Sequence, residues 1–238
     1  MIDSKVAISD EESFEFEALR QAHNYRQALL DEFSSVLKGN ILEVGAGIGQ
    51  MTELLRHHPG ISRLVCVEPN PSFCEKHRRG LPGVELVPGT VANLTGQEGW
   101  NAIISINVLE HISGDAEELK IYADLLRPEG GRLCLIVPAR PEIYGPIDAR
   151  FGHFRRYTRQ ELGEKLRSAG FAVEKLVYFN LVGYFAWWVN FRLLKGRTFN
   201  LKQVRFFDSL IFPVSHRIET RLFRPPLGQS LVAVAAAR

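Results

Sequence analysis

ILEVGAGIGQMT, from Ile41 to Thr52, starts as an apolar run and continues through three glycines at alternate positions. Apolar residues then recur at helical intervals, so the sequence predicts a strand, a glycine loop and a helix in succession. Gly45, Gly47 and Gly49 suit this loop because glycine adopts positive φ angles and lets a ligand approach the backbone without meeting a Cβ atom. The pattern indicates a cradle for a cofactor.

Two acidic residues near the loop indicate the charge of that cofactor. A dinucleotide fingerprint has the spacing GxGxxG and seats a pyrophosphate on a helix N-terminus. Here the spacing is GxGxG, and Glu43 lies two residues before the first glycine, where a carboxylate favours a cationic ligand. Glu68 ends the next apolar run, where Rossmann-type folds place the acid that binds ribose hydroxyls. We expect a cationic nucleoside between the two acids; acids that merely face water at strand ends are the alternative.

Four motifs in order carry a resemblance to a known family. They are LEVGAGIGQMT at 42–52, VEPN at 67–70, NAIISINVLEHI at 101–112 and LLRPEGG at 125–131. Over residues 40 to 175 the chain resembles class I S-adenosylmethionine-dependent methyltransferases, and especially the small-molecule group that includes the ubiquinone and menaquinone methyltransferases. The resemblance implies an α/β fold with a Rossmann-like, mostly parallel seven-stranded sheet and helices on both faces. It also implies S-adenosylmethionine as the cofactor and S-adenosylhomocysteine as its product.

The resemblance also assigns cofactor contacts to residues that follow the predicted strands. These are Glu43, Gly45, Ala46, Gly47 and Gly49 around the methionine part, Glu68 and Pro69 at the ribose, Thr90 and Val91 at the adenine, Asn107 and Val108 at the sulfur, and Tyr25 over the methionine end. Many relatives have an acid where this chain has Thr90, so we expect its hydroxyl and the backbone near Val91 to hold the adenine. For Tyr25, an ordinary core or surface position is the alternative.

The chain divides into four segments of a single domain. We expect N-terminal helices over 1–39, a cofactor-binding core over 40–178, an apolar helical insertion over 179–230 and the last strand over 231–238. The insertion is too apolar for a solvated loop. Three interpretations of it stay open: a cap over the active site, a dimer surface, and an interfacial membrane segment with Arg192, Lys195 and Arg197 at the headgroups. Its longest apolar run, Leu181 to Phe191, is too short to span a bilayer.

Composition disfavours several classes of protein. A net charge of +2 over 238 residues gives no reason to expect nucleic-acid binding, and no basic stripe interleaved with aromatics favours an RNA methyltransferase. The three cysteines lack metal-ligand spacing, which favours core packing in a reducing compartment. The first residues lack the basic and apolar regions of a signal peptide. We therefore expect a cytoplasmic protein.

Two histidines are candidates for a catalytic base. In methyl transfer from a sulfonium the leaving thioether is neutral, so the protein mainly has to align the reactants and to remove a proton from a hydroxyl or protonated amine. His111 follows the predicted fourth strand, and His153 lies in FGHFRRY, residues 151–157, after the fifth. For His111, a structural bond to a backbone carbonyl is the alternative.

Hydrogen-bond donors cluster near His153, and they are the substrate candidates. They are Tyr144, Arg155, Arg156 and Tyr157. Such a cluster suits an acidic or polyhydroxylated molecule. The alternative is an arginine pair in water with a tyrosine packed beneath it.

Glu110 and His111 resemble half of the metal-binding motif of some magnesium-dependent methyltransferases. Those enzymes have a further acid three residues before the glutamate, and this chain has Asn107 there. Too few oxygen ligands remain for Mg²⁺. We predict no metal.

The leading hypothesis is methyl transfer from S-adenosylmethionine to an oxygen, nitrogen or carbon nucleophile of a small molecule. The aromatic insertion favours an apolar or lipid-linked substrate. A homodimer and a peripheral membrane contact stay open as partners, and no nucleic acid is expected. The alternative from another class is a catalytically silent methyltransferase fold that binds a partner chain. An NAD-dependent oxidoreductase is disfavoured by the glycine spacing and by Glu43.

Overall fold

Seven strands form one sheet in the order β3-β2-β1-β4-β5-β7-β6 in the computed structural model, which describes residues 20–94, 99–193 and 201–238. The strands are β1 (Gly39–Val44), β2 (Ile61–Glu68), β3 (Glu85–Pro88), β4 (Ala102–Ile106), β5 (Arg132–Pro138), β6 (Phe171–Phe179) and β7 (Ser230–Ala237). β7 runs antiparallel to both of its neighbours, and the other pairs are parallel. This sheet confirms the predicted fold class.

The connections between strands are mainly helical. The helices are α1 (His23–Asp31), α2 (Thr52–Leu55), α3 (Pro71–Gly80), α4 (Asp115–Leu126), α5 (Pro146–Arg150), α6 (Arg159–Ser168), α7 (Leu181–Trp187), α8 (Leu201–Phe206) and α9 (Phe212–Arg221). Short 3-10 turns cover Val91–Asn93, Leu109–His111, Arg127–Glu129 and Pro141–Ile143. Two π-helical segments, Trp188–Leu193 and Phe207–Ile211, follow α7 and α8.

The central strands are buried on both faces. Ile41 and Leu42 are adjacent in β1, yet they pack into two different apolar clusters, one on each face of the sheet. Because both faces of such a strand are covered, its residues do not alternate between apolar and polar, and the sequence shows a continuous apolar run. Glu43 interrupts the run in β1, and it is buried as well.

The order of the strands brings the predicted site together. β1 lies between β2 and β4, so the direction of the connections reverses beside it. In open α/β sheets the ligand site lies at the carboxyl ends of the strands at this reversal. The glycine loop, Glu68 and Asn107 follow β1, β2 and β4 at that edge.

Some element boundaries differ from those predicted. β4 begins at Ala102 rather than Trp100. Before the ladder starts, the side-chain oxygen of Asn101 accepts from Asn40 N, and the backbone N–H of Asn101 donates to Asn40 O. Only one turn of helix, α2, follows the glycine loop. The predicted helical residues before Arg20, and also Lys195 and Arg197, lie outside the described residues. No helix within the described ranges has both the length and the apolar character needed to cross a membrane.

Candidate active site

The glycine loop after β1 is shaped by positive backbone angles. Gly45 and Gly49 have φ values of +71° and +91°. A Cβ atom on Gly45 would lie 2.4 Å from Cγ2 of Val108, and one on Gly49 would lie 2.3 Å from Cδ1 of Leu81. Both positions therefore require glycine for conformation and for space. The packing of Val108 on Gly45 also joins the loop after β4 to the glycine loop.

Glu68 ends β2 and faces the glycine loop. Its Oε2 accepts from Gly47 N at 2.8 Å, and its Oε1 accepts from Asn70 N at 2.8 Å. Burial raises the pKa of Glu68, and the two backbone N–H groups oppose this rise. Each carboxylate oxygen can accept a second hydrogen bond. The group is thus held at the loop with acceptor capacity left for ribose hydroxyls.

Glu43 is also buried, but it bonds to different groups. Its Oε2 accepts from Oγ1 of Thr52 at 2.6 Å and from Sγ of Cys66 at 3.3 Å. Burial raises the pKa of Glu43 to about 7, although these two hydrogen bonds act to lower it. Glu43 therefore ties the first residue of α2 to β1 and β2, and neither acid of the predicted pair is turned to water.

The residues after β3 and β4 offer mainly backbone groups. Asn107 has a φ of +52°, a left-handed conformation that asparagine tolerates better than most residues. Val91 is buried in the core, so its contact with an adenine stays a prediction. Thr90 precedes a 3-10 turn, and its N–H donates to Oδ1 of Asn93 at 2.9 Å.

Tyr25 lies on α1 against residues near the end of the chain. Its ring meets Phe179 and Phe212 edge-on, with centroids 5.6 and 5.3 Å away, and its hydroxyl lies 3.4 Å from Oγ of Ser230. Burial raises the pKa of Tyr25. Asp208 accepts from Tyr25 N at 2.8 Å, which joins α1 to the insertion. Contact of Tyr25 with the methionine end of the cofactor stays a prediction.

The loops after β4 and β5 bring two histidines together. The rings of His111 and His153 meet edge-on with centroids 4.7 Å apart. Nε2 of His153 lies 3.9 Å from Oε1 of Glu110, and Nδ1 of His153 lies 3.1 Å from Oδ1 of Asp148. His111 keeps an exposed edge, but burial of the rest of its ring, assisted by His153, lowers its pKa to about 4.

Asp148 precedes the His153 cluster in the sequence, but it is not among the predicted site residues. It is fully buried, and it accepts from Nε and Nη2 of Arg156 at 2.8 Å and from Gly145 N at 2.9 Å. Burial alone would raise the pKa of Asp148, but the contacts with His153 and Arg156 outweigh it and lower that pKa. The only signal in the sequence is its spacing, five residues before His153 and eight before Arg156.

The family described as "Methyltransferase domain" matches residues 17–176. This chain belongs to that methyltransferase family. With the glycine loop and Glu68 at the carboxyl edge of the sheet, it is an S-adenosylmethionine-dependent methyltransferase, and S-adenosylmethionine is its cofactor. No curated protein sequence matches the chain.

Solved structures share the fold of this methyltransferase at low sequence identity. One is a methyltransferase in complex with the Haloferax volcanii Trm112 methyltransferase activator, with 16% identity, a TM-score of 0.64 and coverage of 96% of this chain and 95% of that one. Another is an S-adenosylmethionine-dependent methyltransferase from Thermotoga maritima, with 18% identity, a TM-score of 0.62 and coverage of 95% of each chain. A third, from Archaeoglobus fulgidus, has 16% identity, a TM-score of 0.59 and coverage of 94% and 99%.

The four predicted substrate residues of the methyltransferase occupy different positions. Tyr157 is fully buried, and its hydroxyl donates to Oδ2 of Asp115 at 2.9 Å. Arg156 is buried between Asp148 and the ring of Trp187, whose centroid lies 4.7 Å from the guanidinium carbon. These two side chains therefore support the site from beneath instead of facing its opening. The sequence could not show this, because their acidic partners lie up to 42 residues away.

Tyr144 and Arg155 lie nearer to the surface. The Tyr144 hydroxyl donates to the backbone oxygen of His153 at 2.8 Å. Arg155 pairs with Asp115 at 2.8 Å and donates to the backbone oxygen of Ser113 at 2.9 Å. Both residues hold the His153 loop in place, and their contact with a substrate stays a prediction.

The two histidines also bear on the prediction of no metal. One ligand atom from each of Glu110, His111 and His153 can be chosen so that all lie within 4.8 Å of one another. The motif in the sequence includes Glu110 and His111 but not His153, which lies 42 residues after His111. Two imidazoles and one carboxylate differ from the oxygen-rich shell that Mg²⁺ prefers. The absence of a metal stays a prediction that a chelator experiment can test.

Proposed function

We propose that this methyltransferase acts on a small molecule, at an oxygen, nitrogen or carbon nucleophile, and that the molecule is apolar or lipid-linked. The observation that carries the proposal is the joint position of the glycine loop, Glu68 and the histidine pair at the carboxyl edge of the sheet. The resemblance to quinone methyltransferases and the apolar insertion support the class of substrate.

The chain's own residues suit the cofactor. Gly45 and Gly49 leave the backbone bare, and Glu68 presents carboxylate oxygens beside that backbone. When bound, S-adenosylmethionine supplies an electrophilic methyl group on a sulfonium whose departure leaves a neutral thioether. No acid is needed for that leaving group, so alignment is the main task of the protein.

His153 is the better placed proton acceptor of the two histidines. Asp148 is held ionised by Arg156, so Nδ1 of His153 carries the proton that it donates to Asp148. This assignment of the tautomer leaves Nε2 with a lone pair on the side of Glu110 and His111. A hydroxyl or protonated amine at this position can lose its proton to Nε2. His111 is neutral at pH 7 because of its low pKa and is the second candidate.

Transfer of a labelled methyl group tests the proposal. The purified chain is incubated with labelled S-adenosylmethionine and separate lipid and aqueous extracts of its host, and the products are identified by mass. We expect label in a lipid-extractable small molecule. Label confined to nucleic acid or protein would contradict the proposed substrate class.

A catalytically silent protein that binds a partner chain is the second candidate. Exposed aromatic side chains on the insertion favour it, among them Phe185, Trp188 and Phe206. The solved neighbour in complex with an activator is described as a methyltransferase with a protein partner. Calorimetry separates the two candidates, because a silent protein would bind no S-adenosylmethionine. Gel filtration in the same buffer reports whether a hetero-complex or a homodimer forms.

We also propose a cytoplasmic location. Cys66, Cys74 and Cys134 are all buried as free thiols. Unpaired cysteines are typical of reducing compartments. Fractionation of host cells, with the chain detected in each fraction, tests this location.

A further inference from the structure

An apolar ridge runs along the outer side of the insertion. It consists of every fourth residue from Phe206 to Leu222, and its members are Phe206, Leu210, Val214, Ile218 and Leu222. Helix α8, a π-helical segment and α9 follow one another without a break, so each member of the ridge lies next to the member four residues on. The five side chains are 42 to 77% exposed. Phe223 and Ile211 add exposed apolar surface beside them.

The charges of this segment are sorted between its two sides. Residues 201–224 contain two acids, and both are buried: Asp208 accepts backbone N–H groups of α1, and Glu219 accepts from Leu181 N at 3.0 Å. The same residues contain five arginines and lysines, all exposed. They are Lys202, Arg205, Arg217, Arg221 and Arg224, and Nη1 of Arg224 lies 3.8 Å from Oε1 of Glu32. The outer side is therefore apolar and cationic, with no acid exposed in residues 201–224.

This combination selects one class of occupant. We propose that the apolar ridge and its cations dock onto a bilayer surface rich in anionic phospholipid. Apolar side chains then enter the acyl boundary, while guanidinium groups meet phosphates. A second copy of this chain on the same surface would bring two sets of cations together, which opposes a symmetric dimer. A cap is also disfavoured, because the side chains of the ridge are exposed and do not pack on the part of the chain that the structure describes.

The inference goes beyond the proposed methyl transfer and does not depend on it. Because the insertion is attached to the rest of the protein, docking of the insertion would give the whole protein a defined orientation on the membrane. Asp208 joins it to α1, and Trp187 covers Arg156 beneath the histidine pair. A docked chain would therefore keep its histidine site at a fixed position relative to the lipid surface.

Vesicle flotation with the full chain tests the inference. Two kinds of vesicle are compared, phosphatidylcholine alone and phosphatidylcholine with phosphatidylglycerol. We expect binding to the anionic vesicles, little binding to the neutral ones, and weaker binding as salt is raised. The double variant Arg217→Gln/Arg221→Gln should bind anionic vesicles roughly 25-fold more weakly, since each cation near such a surface contributes about fivefold.

Matched variants keep the experiment specific. Arg78→Gln/Arg79→Gln removes the same charge from exposed positions on α3 and should bind like the wild type. Leu210→Ser/Val214→Ser should weaken binding without changing its salt dependence. Equal binding to both kinds of vesicle, or binding to neither, would overturn the proposal. It would also be overturned if the α3 control lost as much binding as Arg217→Gln/Arg221→Gln, or if the chain formed a dimer that Leu210→Ser/Val214→Ser dissociates. Calorimetry with S-adenosylmethionine on the same samples checks folding and tests the methyltransferase assignment separately.

Discussion

His153 donates through Nδ1 to Oδ1 of Asp148 at 3.1 Å, and this contact orients the imidazole of the proposed proton acceptor. The partner carboxylate is fully buried and is itself held by Arg156. A carboxylate in this position fixes the tautomer and the orientation of the histidine. Three residues within nine positions of sequence therefore form one proton-accepting unit.

Replacing His153 by asparagine should lower kcat by roughly 10²- to 10⁴-fold, the range that a general base contributes. Asparagine can keep a hydrogen bond to Asp148, but it has no nitrogen in the place of Nε2. The measurement is label transfer to the acceptor found in host extracts. His111→Asn is the matched control and should have a smaller effect. An unchanged kcat in both variants would exclude a histidine base.

Replacing Asp148 by asparagine tests its positioning role. The side-chain NH2 of asparagine can donate to Nδ1 of His153, which favours the tautomer with the proton on Nε2 and removes the proposed proton acceptor, so kcat should fall. A loss of stability with an unchanged kcat would show a structural role alone. Because Arg156 loses its buried partner, the variant should also be less stable by about 3 kcal/mol. Thermal unfolding and cofactor calorimetry verify that the measured samples are folded.

Glu68→Ala should weaken S-adenosylmethionine binding by at least roughly tenfold, because a hydrogen bond to a charged group contributes about 1.5–3 kcal/mol. The substitution also releases the N–H group of Gly47, which now donates to the carboxylate. Isothermal calorimetry measures the change in Kd. Glu85→Ala is the control, since Glu85 is an exposed acid on the adjacent strand and pairs with Arg63. Equal losses in both variants would contradict a specific role for Glu68.

Glu43 should make the protein less stable as the pH rises. Its pKa is about 7 in the folded chain and 4.5 in the reference state, so between these values the folded state holds the extra proton. The contribution of Glu43 to the free energy of unfolding is therefore largest below pH 4.5 and declines up to about pH 7, by about 3 kcal/mol in total. The neutral variant Glu43→Gln should lack this decline.

Urea unfolding of the wild type and of Glu43→Gln at pH 5 and pH 8 measures this pH-dependent contribution of Glu43 to the free energy of unfolding. Other groups, such as Glu68 and His111, titrate in both proteins, so the difference between the two pH dependences isolates Glu43. If the free energies of unfolding of the two proteins changed equally between pH 5 and pH 8, the buried carboxylate of Glu43 would be ionised over that whole range.

Removal of divalent metals should leave activity unchanged. The reason is the predicted lack of a metal, since Asn107 stands where related metal-binding motifs have an acid. Label transfer is measured before and after dialysis against a chelator, and bound metal is determined by elemental analysis. Loss of activity that Zn²⁺ or Mn²⁺ restores, together with loss of metal in His153→Asn, would instead assign Glu110, His111 and His153 as ligands.

The amino-acid sequence by itself determined the fold and the kind of cofactor. Continuous apolar runs, each followed by glycines or an acid, predict parallel strands, and both the sheet and the family confirm this. The ligand position at the carboxyl ends of these strands stays a prediction. These signals are local, because strand, loop and helix preferences are encoded within a few residues. The positions of Gly45, Gly49 and Glu68 at the carboxyl edge follow from them.

Only the tertiary structure decided which polar side chains meet. Asp115 accepts from the Tyr157 hydroxyl across 42 residues, and Glu43 accepts from the Cys66 thiol across 23. The carboxylate of Asp208 accepts from the backbone N–H of Tyr25 across 183 residues. Sequence spacing assigned Arg156 and Tyr157 to the substrate, whereas their buried acidic partners draw them beneath the site. A charged side chain is buried only where an opposite charge or a hydrogen-bonding group pairs with it. Which group that is depends on how the fold brings distant segments of the chain together. The same rule turned both acids of residues 201–224 inward and left every cation of that segment facing outward.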